Sequence, residues 1–253
     1  MSSFRLFITA LSATCIISTS ALAQPASSGD ENAPVTRKQL PALVKEILVN
    51  DPSILTEVID KMQMAQEEEN TKKAKEGVIK NKAELFSDPS SPSFGPADAD
   101  VTLVEFFDYH CGYCKQALNS IVKLLEKDKK VRIVFKEYPI LSEESMRASR
   151  AALAVNFIDK DKYFDFHKAI FAAKGSIDEK FLSDEAKKLG IDPEKLKTEM
   201  NSPKVQAALD KNKALGAEIG AQGTPAIVIG DNFYPGAMPY EAMQKAIDDV
   251  RSG

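Results

Sequence analysis

The chain has 253 residues, 43% of them apolar, with 33 Lys and Arg against 37 Asp and Glu and a formal net charge of −4. That size suits one large domain or a modest domain with an appendage, and the apolar fraction excludes a chain disordered throughout. There is no basic excess for non-specific nucleic-acid binding, and three cysteines with two histidines are too few for the usual four-ligand zinc sites at these spacings.

Arg5 precedes the run LFITALSATCIISTSALA, which ends in Ala21-Leu22-Ala23 before a polar stretch. One positive charge, an apolar centre and a small-x-small ending predict a signal peptide over residues 1–23, cleaved before Gln24. An uncleaved anchor is the alternative, but the run is short and diluted by Ser and Thr. Cys15 lacks a lipoprotein-like approach and is expected to leave with the signal. The mature chain then keeps only Cys111 and Cys114, in an oxidising compartment where a thiol pair can cycle. Cysteines three positions apart close too small a loop to staple this fold, so the pair points to chemistry.

Residues 24–35 read as a flexible leader. Leu40, Leu43, Val44, Ile47 and Leu48 then fall on one helical face. Asn50-Asp51-Pro52 ends that helix and starts another, whose apolar face is Ile54, Leu55, Val58, Ile59 and Met62. Two short amphipathic helices cannot build a core, so residues 24–62 are expected to carry oligomerisation helices; folding back onto the main domain is the alternative. Residues 63–87 are strongly charged, with Glu68–Lys72, Glu69–Lys73 and Glu76–Lys80 in i,i+4 register. They predict a solvated helical linker with little to bury.

The Pro- and Ser-rich stretch 88–96 is a break, and the main domain is expected over 88–253. VTLVEFF (101–107) reads as a buried strand, and Cys111–Lys127 as a helix buried through Ala117, Leu118, Ile121, Leu124 and Leu125. VRIVFKEY (131–138) is a second strand. A helical block fills about 142–220, AIVIG and Phe233-Tyr234 form a hairpin, and a last helix runs over Tyr240–Val250. This is an α/β order.

Cys111-Gly112-Tyr113-Cys114 sits where the first strand gives way to a helix. The helix N-terminus stabilises a Cys111 thiolate, and Cys114, one turn on, can resolve the mixed disulfide that Cys111 forms. The rival reading is a two-coordinate Cu(I) site on the same thiols; no cofactor is otherwise implied. Glu105, a lone acid within VTLVEFF, would be costly to bury unpaired; it is either a functional buried acid or a solvent-facing or ion-paired strand residue. Lys136 is its candidate partner. His110 favours the thiolate if protonated, or is a plain turn residue. Tyr113 is expected to adjust redox potential and substrate contact. His167, in an aromatic stretch, reads as structural.

The run VEFFDYHCGYC, with the later Gly223-Thr224-Pro225, resembles the thioredoxin-fold thiol–disulfide oxidoreductases of the DsbA-like branch, over about residues 88–253. The resemblance implies a thioredoxin fold with a helical insertion at 142–220 and a cis Pro225 facing the cysteines. It further implies that the Thr224 backbone pairs with substrate and that Glu105 relays protons to Cys114. With its N-terminal helices and charged connector, the chain is also similar to the ScsC proteins of the suppressor-of-copper-sensitivity group. These are periplasmic, and some are homotrimeric isomerases. That similarity implies an N-terminal stalk, unfolded or misoxidised exported proteins as substrates, and a membrane thiol reductase or oxidase that resets the pair. Isomerisation needs a reduced nucleophile and multivalent contact with a misfolded chain, which a trimer supplies. A dithiol oxidase and a copper-tolerance protein are the alternatives.

Overall fold

The computed structural model describes residues 34–253. The expected signal peptide, Cys15 and nearly all of the leader lie outside the described residues. The described residues divide between Glu57 and Val58 into two units.

In the first unit, α1 (Leu40–Asn50) carries proline in its first turn and buries no residue. α2 (Ser53–Lys80) starts where the Asp51 carboxylate accepts the Ser53 N–H at 3.1 Å. It is 28 residues long and takes in the second amphipathic segment and most of the charged linker.

The linker departs from expectation at its C-terminal end. Ala74 and Val78 of α2, and Leu85 of the short α3 (Lys82–Phe86), are buried. The charges lie on α2's outer face and hide a narrow apolar strip. A Cβ on Gly77 would collide with the Glu218 carbonyl, so glycine lets the helix approach that closely. Asn81 Nδ2 closes the contact, donating to the Gly77 carbonyl at 2.9 Å and to Glu218 Oε2 at 3.0 Å.

The second unit is a five-stranded mixed sheet. In chain order its strands are β1 (Ser93–Phe94), β2 (Val101–Phe107), β3 (Val131–Glu137), β4 (Ala226–Ile229) and β5 (Asn232–Pro235), laid side by side as β1-β3-β2-β4-β5. β2 and β3 are parallel, joined through α4 (Gly112–Lys127), and the other pairs are antiparallel. The β4–β5 hairpin turns through Gly230 at φ +60°, a left-handed conformation that glycine adopts without cost. β1 lies inside the stretch read as a break; Phe94 holds it by stacking on Phe164 at 4.2 Å.

Between β3 and β4 come α5 (Glu143–Ile158), α6 (Tyr163–Ala172), α7 (Glu179–Lys188), α8 (Pro193–Met200) and α9 (Pro203–Glu218), the expected insertion; α10 (Tyr240–Ser252) closes the chain. Side chains alternate across the sheet. Leu103, Phe107, Ile133, Phe135 and Ile227 point to one core, shared with α4, α10 and the insertion. Val104, Phe106, Val134 and Val228 point to the other, which Val78, Leu85, Leu215 and Ile219 cover. The C-terminal half of α2 and α3 therefore roof the second face of the sheet.

Candidate active site

β2 ends at Phe107, and Asp108 makes the turn into α4. Asp108 is fully buried. Its Oδ1 accepts the His110 N–H at 2.8 Å and the Ser145 hydroxyl at 2.6 Å; its Oδ2 accepts the Ile140 and Leu141 N–H groups at 2.9 and 3.0 Å. One carboxylate thus ties the start of the cysteine motif to the loop after β3. Cys111 is the N-cap of α4, and its sulfur accepts the Cys114 N–H at 3.4 Å. Both cysteines are free thiols; Cys114 is fully buried and Cys111 is 8% exposed. Gly112 and Tyr113 are exposed beside them, Tyr113 at 65%.

The loop before β4 faces this pair. The Thr224–Pro225 peptide bond is cis, as expected, and the Cys111 thiol donates to the Thr224 carbonyl at 3.2 Å. A groove of about 910 Å³ continues along the loop, lined among others by Gln222, Thr224, Pro225 and Pro235, with Asn70 and Thr71 of α2.

Glu105 lies 2% exposed on the cysteine side of the sheet, and its Oε1 has no hydrogen-bond partner. Burial raises its carboxyl to about 8, and the like charges of Cys111 and Glu137 add to that. Burial likewise pushes the Cys114 thiol far up, with Glu105 contributing. A carboxyl poised near 8 is mostly protonated at neutral pH, and it is its ionised fraction that can take the proton of the neighbouring, reluctantly ionising thiol.

Lys136 is not the partner of Glu105. The parallel register pairs Glu105 with Phe135, so Lys136 projects from the opposite face of the sheet. There it is fully buried, its ammonium donating to the Glu84 carbonyl and the Ser91 hydroxyl, both at 2.6 Å, with Asp88 at 3.7 Å. It fastens α3 and the following loop to β3. The His110 ring turns toward Glu144 of α5, Nε2 to Oε2 at 3.4 Å.

Sequence reasoning overlooked Asp108, Tyr109 and Glu137. The signal was present in VRIVFKEY: adjacent charges in a central strand point to opposite faces, so Lys136 and Glu137 cannot both reach solvent. Glu137 points to the cysteine side, where Tyr109 and Tyr163 donate to its Oε1 at 3.1 and 2.9 Å.

A thiol pair at a helix N-terminus, set against a Thr-Pro loop on a sheet of this order, defines a thiol–disulfide oxidoreductase of the thioredoxin kind. Residues 102–248 match the DSBA-like thioredoxin domain, and the chain belongs to that family. Its relatives agree. A thioredoxin-like oxidoreductase from Silicibacter pomeroyi is 39% identical with a TM-score of 0.65, over 68% of this chain and 99% of that one. ScsC from Proteus mirabilis, in a transitional conformation, is 30% identical with a TM-score of 0.65, over 85% and 96%. Disulfide bond formation protein D of Bacillus subtilis is 28% identical over 172 residues, 64% of this chain and 78% of that protein.

Proposed function

We propose that the chain is an exported, homo-oligomeric disulfide isomerase that reshuffles non-native disulfides in other exported proteins. One observation carries this reading: Leu40, Val44 and Ile47 of α1, and Leu55, Val58, Ile59 and Met62 of α2, are each between 45% and 68% exposed. Apolar stripes at helical spacing are costly to leave in water and suit packing against copies of the same helices; the similarity to ScsC favours three copies. Several catalytic domains on one stalk would hold a misfolded chain at high effective concentration.

In this reading the Cys111 thiolate attacks a substrate disulfide, forming a mixed disulfide and releasing one substrate thiol. That thiol, or another on the same chain, attacks back and leaves with a new pairing. Cys114 offers escape: its proton passes to Glu105, its sulfur bonds to Cys111, and the substrate departs reduced. The Thr224 backbone and exposed Tyr113 contact the substrate, whose chain follows the groove beside Pro225. A membrane thiol reductase then resets the pair.

The experiment compares the mature chain from Gln24 with a chain beginning at Gln63, which keeps Ala74, Val78 and Leu85 to roof the sheet. The long form is expected to be a homo-oligomer by solution mass and to reactivate a scrambled multi-disulfide ribonuclease. The short form is expected to be monomeric and to lose reactivation, while both reduce insulin. A monomeric long form that fails to reactivate but efficiently oxidises a reduced protein would replace this reading with that of a dithiol oxidase.

A further inference from the structure

Behind the cysteines lies a buried polar cluster that thiol exchange alone does not require. Glu137 Oε1 accepts the hydroxyls of Tyr109 and Tyr163. The Tyr109 oxygen also lies 3.0 Å from His167 Nδ1, and that of Tyr163 lies 3.5 Å from the same nitrogen. The Ser149 hydroxyl faces the Glu137 carboxylate, and His167 Nε2 is buried without a partner. Glu137 and His167 are both fully buried.

Tyr109 has one hydroxyl hydrogen and two partners, so the chain has two consistent arrangements. In one, Glu137 is ionised, Tyr109 donates to it, and His167 Nδ1–H donates to Tyr109. In the other, Glu137 carries a proton and donates it to Tyr109, which donates to Nδ1 of His167, whose own hydrogen has moved to Nε2. The site can hold or release a proton with little movement of heavy atoms.

The register connects this site to the chemistry. Glu105 pairs with Phe135 and Phe107 with Glu137, so the two carboxyls lie on the same face of neighbouring strands, two residues apart along the ladder. Among the described residues no cation pairs with either. The groups facing Glu137 are Tyr109 and Asp108 from the β2–α4 turn, Ser149 from α5, and Tyr163 and His167 from α6. Asp108 is saturated by four donors. Those facing Glu105 are Cys111, Cys114, Glu137 and the Tyr109 hydroxyl, which lies between the two carboxyls. Two buried carboxyls this close, with no cation, resist ionising together.

We propose that Glu137 is a positioning residue for proton transfer at Cys114: with Glu105 it forms a buried pair that holds at most one negative charge, so its protonation sets how readily Glu105 accepts the Cys114 proton. The step is resolution of a mixed disulfide. Cys114 gives its proton to the Glu105 carboxylate, and its sulfur pair bonds to Cys111 Sγ. The bond from Cys111 to the substrate sulfur breaks, and the substrate leaves as a thiolate; the cysteine pair is oxidised by two electrons and the substrate disulfide reduced. When Glu137 is protonated, Glu105 ionises more readily and the step is ready. Burial holds both carboxyls up near 8, which places this exchange near neutrality. The inference rests on thiol exchange, common to the isomerase and oxidase readings, so failure of the isomerase reading would leave it standing.

The test is a single-turnover reaction of the reduced full mature chain with an aromatic disulfide such as dithiobis(nitrobenzoate), followed across the neutral pH range. Release of the first aromatic thiolate reports attack by Cys111, and release of the second reports resolution by Cys114. Glu137→Gln keeps an oxygen for both tyrosines but never ionises. It is expected to lower the midpoint of the second phase by about one pH unit, the size of shift a close like charge produces, and to leave the first phase unmoved. Tyr163→Phe removes one donor to the Glu137 carboxylate, holding it protonated, and is expected to shift the midpoint the same way by less. It also serves if Glu137→Gln does not fold. Glu105→Gln should abolish that titration. A second-phase midpoint that stays put in both variants, or survives in Glu105→Gln, would overturn the proposal. A purely structural Glu137 would slow both phases at every pH without moving the midpoint.

Discussion

The Cys111 thiol meets the Thr224 carbonyl at 3.2 Å, while the hydroxyl of the same threonine is buried with no partner. The backbone of Thr224 serves the site, and its side chain carries an unsatisfied polar atom. Removing a buried hydroxyl that makes no hydrogen bond relieves its desolvation cost. Thr224→Val, which keeps the shape and the carbonyl, is therefore expected to hold or raise stability, by up to about 1 kcal/mol. Denaturant unfolding of the two proteins checks this, and a loss above that amount would mean the hydroxyl is satisfied.

Glu105 ties stability to pH. Its folded-state value is about 8 against an ordinary 4.5, so between these the native state binds more protons than the unfolded chain. Stability then falls as pH rises through that window, by about 1.4 kcal/mol per unit at its steepest for this one group. Glu105→Gln removes the penalty. It should be as stable as the parent below pH 4.5 and clearly more stable at pH 8, while resolution by Cys114 slows about a hundredfold for want of a proton acceptor. Melting curves at the two pH values, beside the resolution rate, separate the two effects.

Lys136 separates a structural lysine from a redox one. Its ammonium, lowered by burial to about 8 against the pull of Asp88, serves α3 and the Ser91 loop. Lys136→Met strands the Glu84 carbonyl and leaves Asp88 with Lys211 at 3.0 Å. The loss is expected to be about 2–4 kcal/mol. The pH profile of thiol exchange should not move, because the sheet lies between Lys136 and the cysteines. A shifted profile would restore the link to Glu105.

Much of this was legible in the sequence, for physical reasons that can be named. Strand, cysteine-bearing helix, strand, helical block, hairpin and helix each carry a period or a cap, such as Asp192-Pro193 opening α8 and Ser202-Pro203 opening α9. Cys111, Cys114, Thr224 and Pro225 stand out as local motifs. What escaped depends on long-range register. Which face Lys136 or Glu137 occupies is fixed by pairing with β2, and β1 is two residues held by a ring stack. The strip on α2 escaped because Ala74 and Val78 are sparse among charges, so the average over the segment is polar.

That strip yields a test in which the usual rule changes sign. Glycine to alanine inside a helix is ordinarily stabilising, by about 1 kcal/mol. At Gly77 the added methyl would meet the Glu218 backbone carbonyl, which cannot swing aside as a flexible side chain would. Gly77→Ala is expected to destabilise the protein by about 1–3 kcal/mol through overpacking. An increase in stability would show that α2 does not lie against α9.

His167 gives the opposite pH dependence from Glu105, and the two can be told apart. It sits among Phe107, Phe135, Tyr163, Phe164 and Phe171, where burial depresses its imidazole from 6.5 to about 3. A depressed base binds fewer protons folded than unfolded between those values, so its contribution is complete above pH 6.5 and is lost as pH falls toward 3. His167→Phe removes that loss but strips Tyr109 of one hydrogen-bond partner, at a cost of about 1 kcal/mol. The variant should be slightly less stable than the parent at pH 7 and more stable at pH 4. Unfolding curves that fail to cross between these pH values would mean His167 is protonated in the folded protein.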